Sequence, residues 1–296
     1  MAPSSSASSP GALRREYRLG EATITLTLDA GPRVAAYTLA GHRNLFADLP
    51  DEVIEHPATG TFRFIGGHRL WRAPEQPSVT YQPDDGEVAI VHGDDTLTVT
   101  GPPDSDGIVR TIALAQEGRH TIVDHRFENT GSMAVETALW AISQLTTGGH
   151  AILPAPTEIV DEDGLLPNRA LVLWPYSDPG AAGVLIRRDA VRIDAGAIGE
   201  KFKVGQPNRR GWVAYAWEDE LFVKWSPLHD DASTYVDMGA SVQCYLDPRF
   251  VELESQGPLI SLGPGERCGH REVWTMIHAT GHDVDLMASL PSIPVT

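Results

Sequence analysis

From Thr23 onward the chain sets apolar residues at alternate positions, in short runs cut by turn residues. Ile24, Leu26 and Leu28 alternate with Thr23, Thr25 and Thr27, the pattern of a strand buried on one face. Gly31-Pro32 breaks the run, and Val34 to Leu39 resumes it. Similar segments follow at 88–91, 97–100, 108–115, 121–128, 134–144, 171–174, 183–187 and 190–194. Later ones lie at 211–217, 221–225, 241–246, 250–254 and 270–278. Asp84-Asp85-Gly86, Gly93-Asp94-Asp95 and Gly263-Pro264-Gly265 mark turns between them. The 28 glycines and 22 prolines are too dense for a mainly helical protein. No amphipathic helix of ten residues is legible, and 283–290 reads as one short helix. Many short strands without crossover helices predict an antiparallel all-β sandwich or barrel with few or no helices. A small, polar stretch over 1–11 reads as a disordered tail, and 12–296 as a single domain.

Charge narrows the function classes. Lys and Arg number 23 against 40 Asp and Glu, a net charge of −17. That field repels phosphate backbones and anionic lipid, so neither nucleic acid nor membrane is an expected partner. No run of eighteen apolar residues is present, and the N-terminal stretch carries no apolar signal core. Two cysteines, Cys244 and Cys268, make no disulfide framework. A cytoplasmic protein, monomeric or homodimeric, is the expectation. Walker A, G-x-G-x-x-G, H-E-x-x-H and G-x-S-x-G patterns are all missing. Nucleotide hydrolysis, Rossmann oxidoreduction, zincin proteolysis and α/β-hydrolase chemistry lose their signatures with them.

Three segments concentrate chemistry. Glu252 and Glu254 share one strand face while Val251 and Leu253 take the other; His270, Glu272 and Trp274 share a second polar face. The Phe62–Glu75 segment sets Gly66-Gly67 beside His68, Arg69, Trp71, Arg72 and Glu75. Two glycines permit a bend or a close approach, His68 can exchange protons, the arginines can clamp oxygens, and Trp71 offers a stacking face. Lys203 sits in Lys201-Phe202-Lys203-Val204-Gly205, and Lys224 alternates with apolar neighbours on the same side as Phe222, where a lysine either snorkels or enters a pocket. The bland alternative for each segment is an exposed sheet face, a bulged strand and solvated lysines.

Larger blocks carry a resemblance. They are Gly31-Pro32-Arg33-Val34, Asn44-Leu45-Phe46, Gly66-Gly67-His68-Arg69-Leu70-Trp71, Trp174-Pro175-Tyr176, Lys203-Val204-Gly205, Phe250-Val251-Glu252-Leu253-Glu254, Pro264-Gly265-Glu266 and His270-Arg271-Glu272-Val273-Trp274. Together they resemble an uncharacterised bacterial family of the galactose-mutarotase-like superfamily. The resemblance implies an antiparallel β-supersandwich whose concave sheet face binds carbohydrate. It also implies a late-strand Glu as base at the anomeric hydroxyl and a His as acid toward the ring oxygen. Glu254 matches that Glu by its distance from the Pro-Gly-Glu turn, with Glu252 the near alternative. The mid-chain strand at 138–144, where characterised mutarotases carry an Asn-His-Thr-Tyr-Phe type sequence, has no His here. His68 is the substitute.

The leading expectation is an aldose 1-epimerase-like enzyme that needs no cofactor and no metal. Glu254, Glu252 and His68 would be catalytic; Arg69, Trp71, Glu75, Lys203, Lys224, His270 and Glu272 would bind the substrate. All would converge on one concave site, and the basic residues would favour a sugar acid or sugar phosphate among monosaccharides. The alternative is a non-catalytic carbohydrate-binding or sensing protein on the same scaffold. A third reading, a cupin-like metal site from His68, Glu75, His270 and Glu272, lacks the usual His-x-His arrangement.

Overall fold

Alternation of side chains across a pleat gives each strand one apolar face, and burying those faces against each other makes two stacked sheets. The computed structural model describes residues 12–229 and 235–278. The expected tail over 1–11 and the expected helix over 283–290 lie outside them. One sheet has 11 strands, and its main path runs Arg14–Leu19, Ala22–Thr27, Arg33–Leu39, Gly60–Ala73, Val135–Thr146, Phe250–Gln256, Val242–Asp247, Phe202–Gln206 and Val172–Leu173. Asp48–His56 pairs with the first half of Gly60–Ala73, and Ile260–Leu262 with the start of Val135–Thr146. The second sheet has 10 strands and runs Val184–Ile186, Ala190–Asp194, His150–Pro154, Trp212–Trp217, Glu220–Trp225, Arg267–His278, His120–Asn129, Ile108–Glu117, Thr96–Thr100 and Ala89–His92. All pairings are antiparallel. Among the described residues helix is confined to Pro77–Thr80 and a 3-10 turn at Asp237–Gly239. No helix there is long and apolar enough to cross a membrane.

The expected all-β architecture is therefore present, and most predicted strands fall within two or three residues of their place. The strands at 48–56, 150–154 and 202–206 are not legible from alternation. The first carries Asp51, Glu52 and Glu55 and shows no clean period of two; the last alternates Phe202 and Val204 with Lys203 and Gly205, but over too few residues to stand out.

The core lies between the sheets. From the large sheet Val242, Cys244, Leu246, Val251 and Leu253 point inward; from the second, Ile112, Val123, Tyr215, Phe222 and Trp274 meet them. The residues between, Tyr245, Glu252, Glu254 and Lys203, therefore emerge on the outer face of the large sheet.

Gly66 and Gly67 redirect one strand. Ile65, Gly66 and Gly67 all have positive φ, at 62°, 90° and 75°. Before the bend the strand pairs with 48–56; after it, with Val135–Thr146. A Cβ on Gly67 would sit 2.2 Å from the Val34 carbonyl oxygen, so only glycine admits this approach. The bend lifts the 48–66 hairpin into a wall beside the outer face.

Candidate functional site

A cavity of about 510 Å³ opens on that outer face. Its floor comes from Gly60–Ala73, Val135–Thr146, Phe250–Gln256, Val242–Asp247 and Phe202–Gln206, whose outward residues include Arg69, Trp71, Trp140, Glu252, Tyr245 and Lys203. The hairpin supplies Glu52, Val53, Ile54 and Phe64 as one wall; Glu75, Tyr81, Trp174 and Tyr176 complete the rim.

Two ion pairs organise the floor. Arg69 Nη2 donates to Glu252 Oε1 at 2.7 Å, and Gln144 Nε2 donates to the same oxygen at 2.9 Å. Glu252 Oε2 takes no hydrogen bond from any described residue, so a carboxylate fixed by one oxygen lines the cavity with the other uncommitted. The Arg69 guanidinium carbon lies 4.0 Å from the centre of the Trp71 ring. Burial draws Arg69 down to about 10, opposed by the charge of Glu252.

Lys203 Nζ donates to Glu254 Oε2 at 3.0 Å and lies 4.8 and 4.7 Å from the Trp140 and Trp174 rings. Trp140 Nε1 donates to that same carboxylate oxygen at 2.7 Å, leaving Oε1 without a partner. Burial, then repulsion from Glu252, push Glu254 up to about 7 against the pull of Lys203. Glu254 is sealed, however: its relative exposure is 0% and it does not line the cavity. Glu252 lines it. The distance to the Pro-Gly-Glu turn points to the inner of the two carboxylates, because register says nothing of what covers a side chain.

The expected convergence splits across the sheet. Glu252, Arg69, Trp71, Glu75 and Lys203 share the cavity, with Glu254 beneath its floor. His68, Lys224, His270 and Glu272 do not reach it; they form a sealed network between the sheets. The cause is the pleat: His68 precedes Arg69 and so points inward, while Lys224, His270 and Glu272 sit on the inner face of the opposing sheet. The cupin-like set fails for the same reason, since Glu75 lies on the cavity side, hydrogen-bonded by Tyr81, and the other three do not. Arg72 also faces away, paired with Asp104 and Asp106.

The interior network has a definite polarity. His125 Nδ1 donates to the His270 carbonyl at 3.0 Å, so His125 Nε2 accepts from His68 Nε2–H at 2.7 Å. His68 Nδ1 then accepts from the Ser143 hydroxyl at 2.9 Å, whose oxygen accepts from Lys224 Nζ at 3.2 Å. Lys224 also donates to the Leu253 carbonyl at 3.0 Å and pairs with Glu272 at 2.8 Å. Ser255 donates to Glu272 Oε1 at 2.5 Å and Trp274 to Oε2 at 2.7 Å. Burial holds His68 well below the ordinary imidazole range, and His270 down to about 3. Burial pushes Glu272 upward, but it is opposed first by the charge of Lys224, and its carboxyl lies below the usual range. With the histidines neutral, these groups satisfy one another apart from His270 Nδ1, which has no partner; His270 Nε2 donates to Ser255 at 2.7 Å.

Trp140, Trp174, Tyr176, Tyr245 and Arg249 line the cavity without being among the expected site residues. The pairs Trp140–Gln256 and Tyr245–Glu252 mark Trp140 and Tyr245 as outward, but pairing partners are tertiary information.

No family model matches the chain, and no curated protein matches it. Solved structures do. A candidate aldose 1-epimerase of Escherichia coli K12 aligns over 91% of this chain and 100% of its own, with TM-score 0.57 and 12% identity. A galactose mutarotase-like protein of Lactobacillus casei covers 90% and 100%, with TM-score 0.60 and 8% identity. A TPR-domain containing protein of Parabacteroides distasonis covers 96% of this chain and 50% of its own, with TM-score 0.60 and 14% identity. Identities this low speak for the fold alone. The chain has the galactose-mutarotase-like β-sandwich architecture.

Proposed function

We propose that the outer-face cavity binds a neutral monosaccharide and that the protein catalyses anomer exchange there, as an aldose 1-epimerase-like enzyme without the mid-chain histidine. The observation that carries this reading is a carboxylate, Glu252, anchored through one oxygen and uncommitted at the other, in an aromatic-walled cavity of sugar-sized volume. Aromatic faces suit the apolar C–H faces of a sugar ring, and polar groups between them suit its hydroxyls. Arg69, Lys201, Lys203 and Arg249 are balanced by Glu52, Glu75, Asp247 and Glu252 around the cavity, so no net positive field favours a uronate or a sugar phosphate.

Ring opening takes a proton from the anomeric hydroxyl and gives one to the ring oxygen. Glu252 is the base. Lys203 is the donor that faces the cavity, held by the sealed Glu254 behind it; on ring closure at the opposite carbonyl face Lys203 takes its proton back from the open-chain hydroxyl and Glu252 returns the one it removed. Saturation-transfer NMR on a panel of aldoses and uronates tests this. Glu252→Gln is expected to lower anomer exchange by roughly 10²–10⁴-fold while leaving sugar binding measurable. Binding without acceleration of any sugar in the wild type would refute the enzyme and favour a carbohydrate-binding or sensing role.

A further inference from the structure

Away from the cavity, three residues from separate segments meet at the ends of two central strands of the second sheet. We propose that His42, Glu220 and His278 form a site for a divalent transition-metal ion of the zinc, cobalt or nickel type. Glu220 and His278 are directly opposed across paired strands and so share a face. His42, from the turn after Arg33–Leu39, stacks its ring on that of His278 with centroids 4.2 Å apart. His42 Nδ1 lies 2.6 Å and His278 Nδ1 3.8 Å from the same oxygen, Glu220 Oε2. All three ligand atoms lie within 4.8 Å of one another. A tetrahedral ion with bonds of about 2.0–2.1 Å spaces its ligands roughly 3.3 Å apart, between the two distances found. Asp219 Oδ2, 3.9 Å from His278 Nδ1, adds negative charge beside the site without joining the three ligand atoms.

The surroundings agree. The other oxygen of Glu220 accepts from the Arg43 backbone amide at 3.1 Å, which orients the carboxylate from outside the site. Glu218, Asp219 and Glu220 face one cation, Arg43, whose guanidinium is engaged by Glu218 and Asp219 at 2.7 and 2.6 Å. The patch is therefore net negative. His42 and Glu220 are buried and pre-positioned, and His278, 55% exposed in its side chain, leaves a way in. Two imidazoles with a carboxylate suit zinc, cobalt or nickel better than calcium or magnesium. The other His–His–Glu group, His68, His125 and Glu272, is a poorer candidate: it is sealed, and Lys224 occupies Glu272.

The test is titration of the untagged, chelator-treated full chain with zinc and cobalt chlorides, followed by calorimetry and cobalt absorption. One saturable equivalent and a rise in Tm on zinc addition are expected. His278→Gln, at an exposed position that leaves the fold intact by circular dichroism, is expected to weaken binding beyond the roughly 10–100-fold that losing an outer-shell partner costs. Asp219→Asn is expected to weaken it less. No saturable binding, unchanged affinity in His278→Gln, or loss of binding in His125→Gln instead would overturn the proposal.

Discussion

Replacing Lys224 by Met asks whether that lysine serves a ligand or the fold. The side chain is 1% exposed and makes three contacts: Glu272 at 2.8 Å, Ser143 at 3.2 Å and the Leu253 carbonyl at 3.0 Å. Met fills most of the space but removes the charge, so Glu272, itself 0% exposed, loses its cation. Stranding one member of a buried ion pair costs about 3–5 kcal/mol, a large fraction of the stability of a typical domain. The pH dependence follows by linkage. In the wild type Glu272 is held below its unfolded pKa, so its contribution is present above the unfolded value and is lost as pH falls through the folded one. In Lys224→Met burial is no longer opposed by Lys224, so the folded state takes up a proton and the defect shrinks on acidification. Urea unfolding at pH 8 and pH 5 measures both effects. Lys224→Met/Glu272→Gln is expected to recover part of the loss, since the stranded charge is gone. A single variant within about 1 kcal/mol of wild type, or one whose only defect is weaker sugar binding, would refute the structural role.

Glu254 gives the opposite pH trend. Its folded pKa of about 7 exceeds the unfolded value, so stability is full below the unfolded value and falls as pH rises through 7. Glu254→Gln is expected to remove that fall, worth on the order of 3 kcal/mol, in unfolding curves between pH 5 and 9; parallel curves for both proteins would contradict the burial argument. Gly67→Ala is expected to cost more than the roughly 1–2 kcal/mol of left-handed backbone alone, because its Cβ would meet the Val34 carbonyl oxygen. Thermal denaturation checks this, and an unchanged Tm would mean the bend relaxes freely.

Much of the candidate site is legible as residues, less of it as a place. Alternation alone separates Glu252 and Glu254 from Val251 and Leu253, and Arg69 and Trp71 from His68, Leu70 and Arg72. That follows from the covalent geometry of an extended chain, in which neighbours point to opposite sides whatever the fold. Gly66-Gly67 likewise announces a bend or close approach. Alternation cannot say which face of a strand meets the other sheet. The His270–Glu272–Trp274 face is as polar as the Glu252–Glu254 face, yet one is sealed in the core and the other floors a cavity. Packing decides it, because Lys224, Ser143, Ser255, His68 and His125 come from five strands and satisfy that polar face only once both sheets are assembled. Local pattern assigns each side chain to a side of its own strand. Only the stacking of the sheets determines which side is water, which is ligand and which is core.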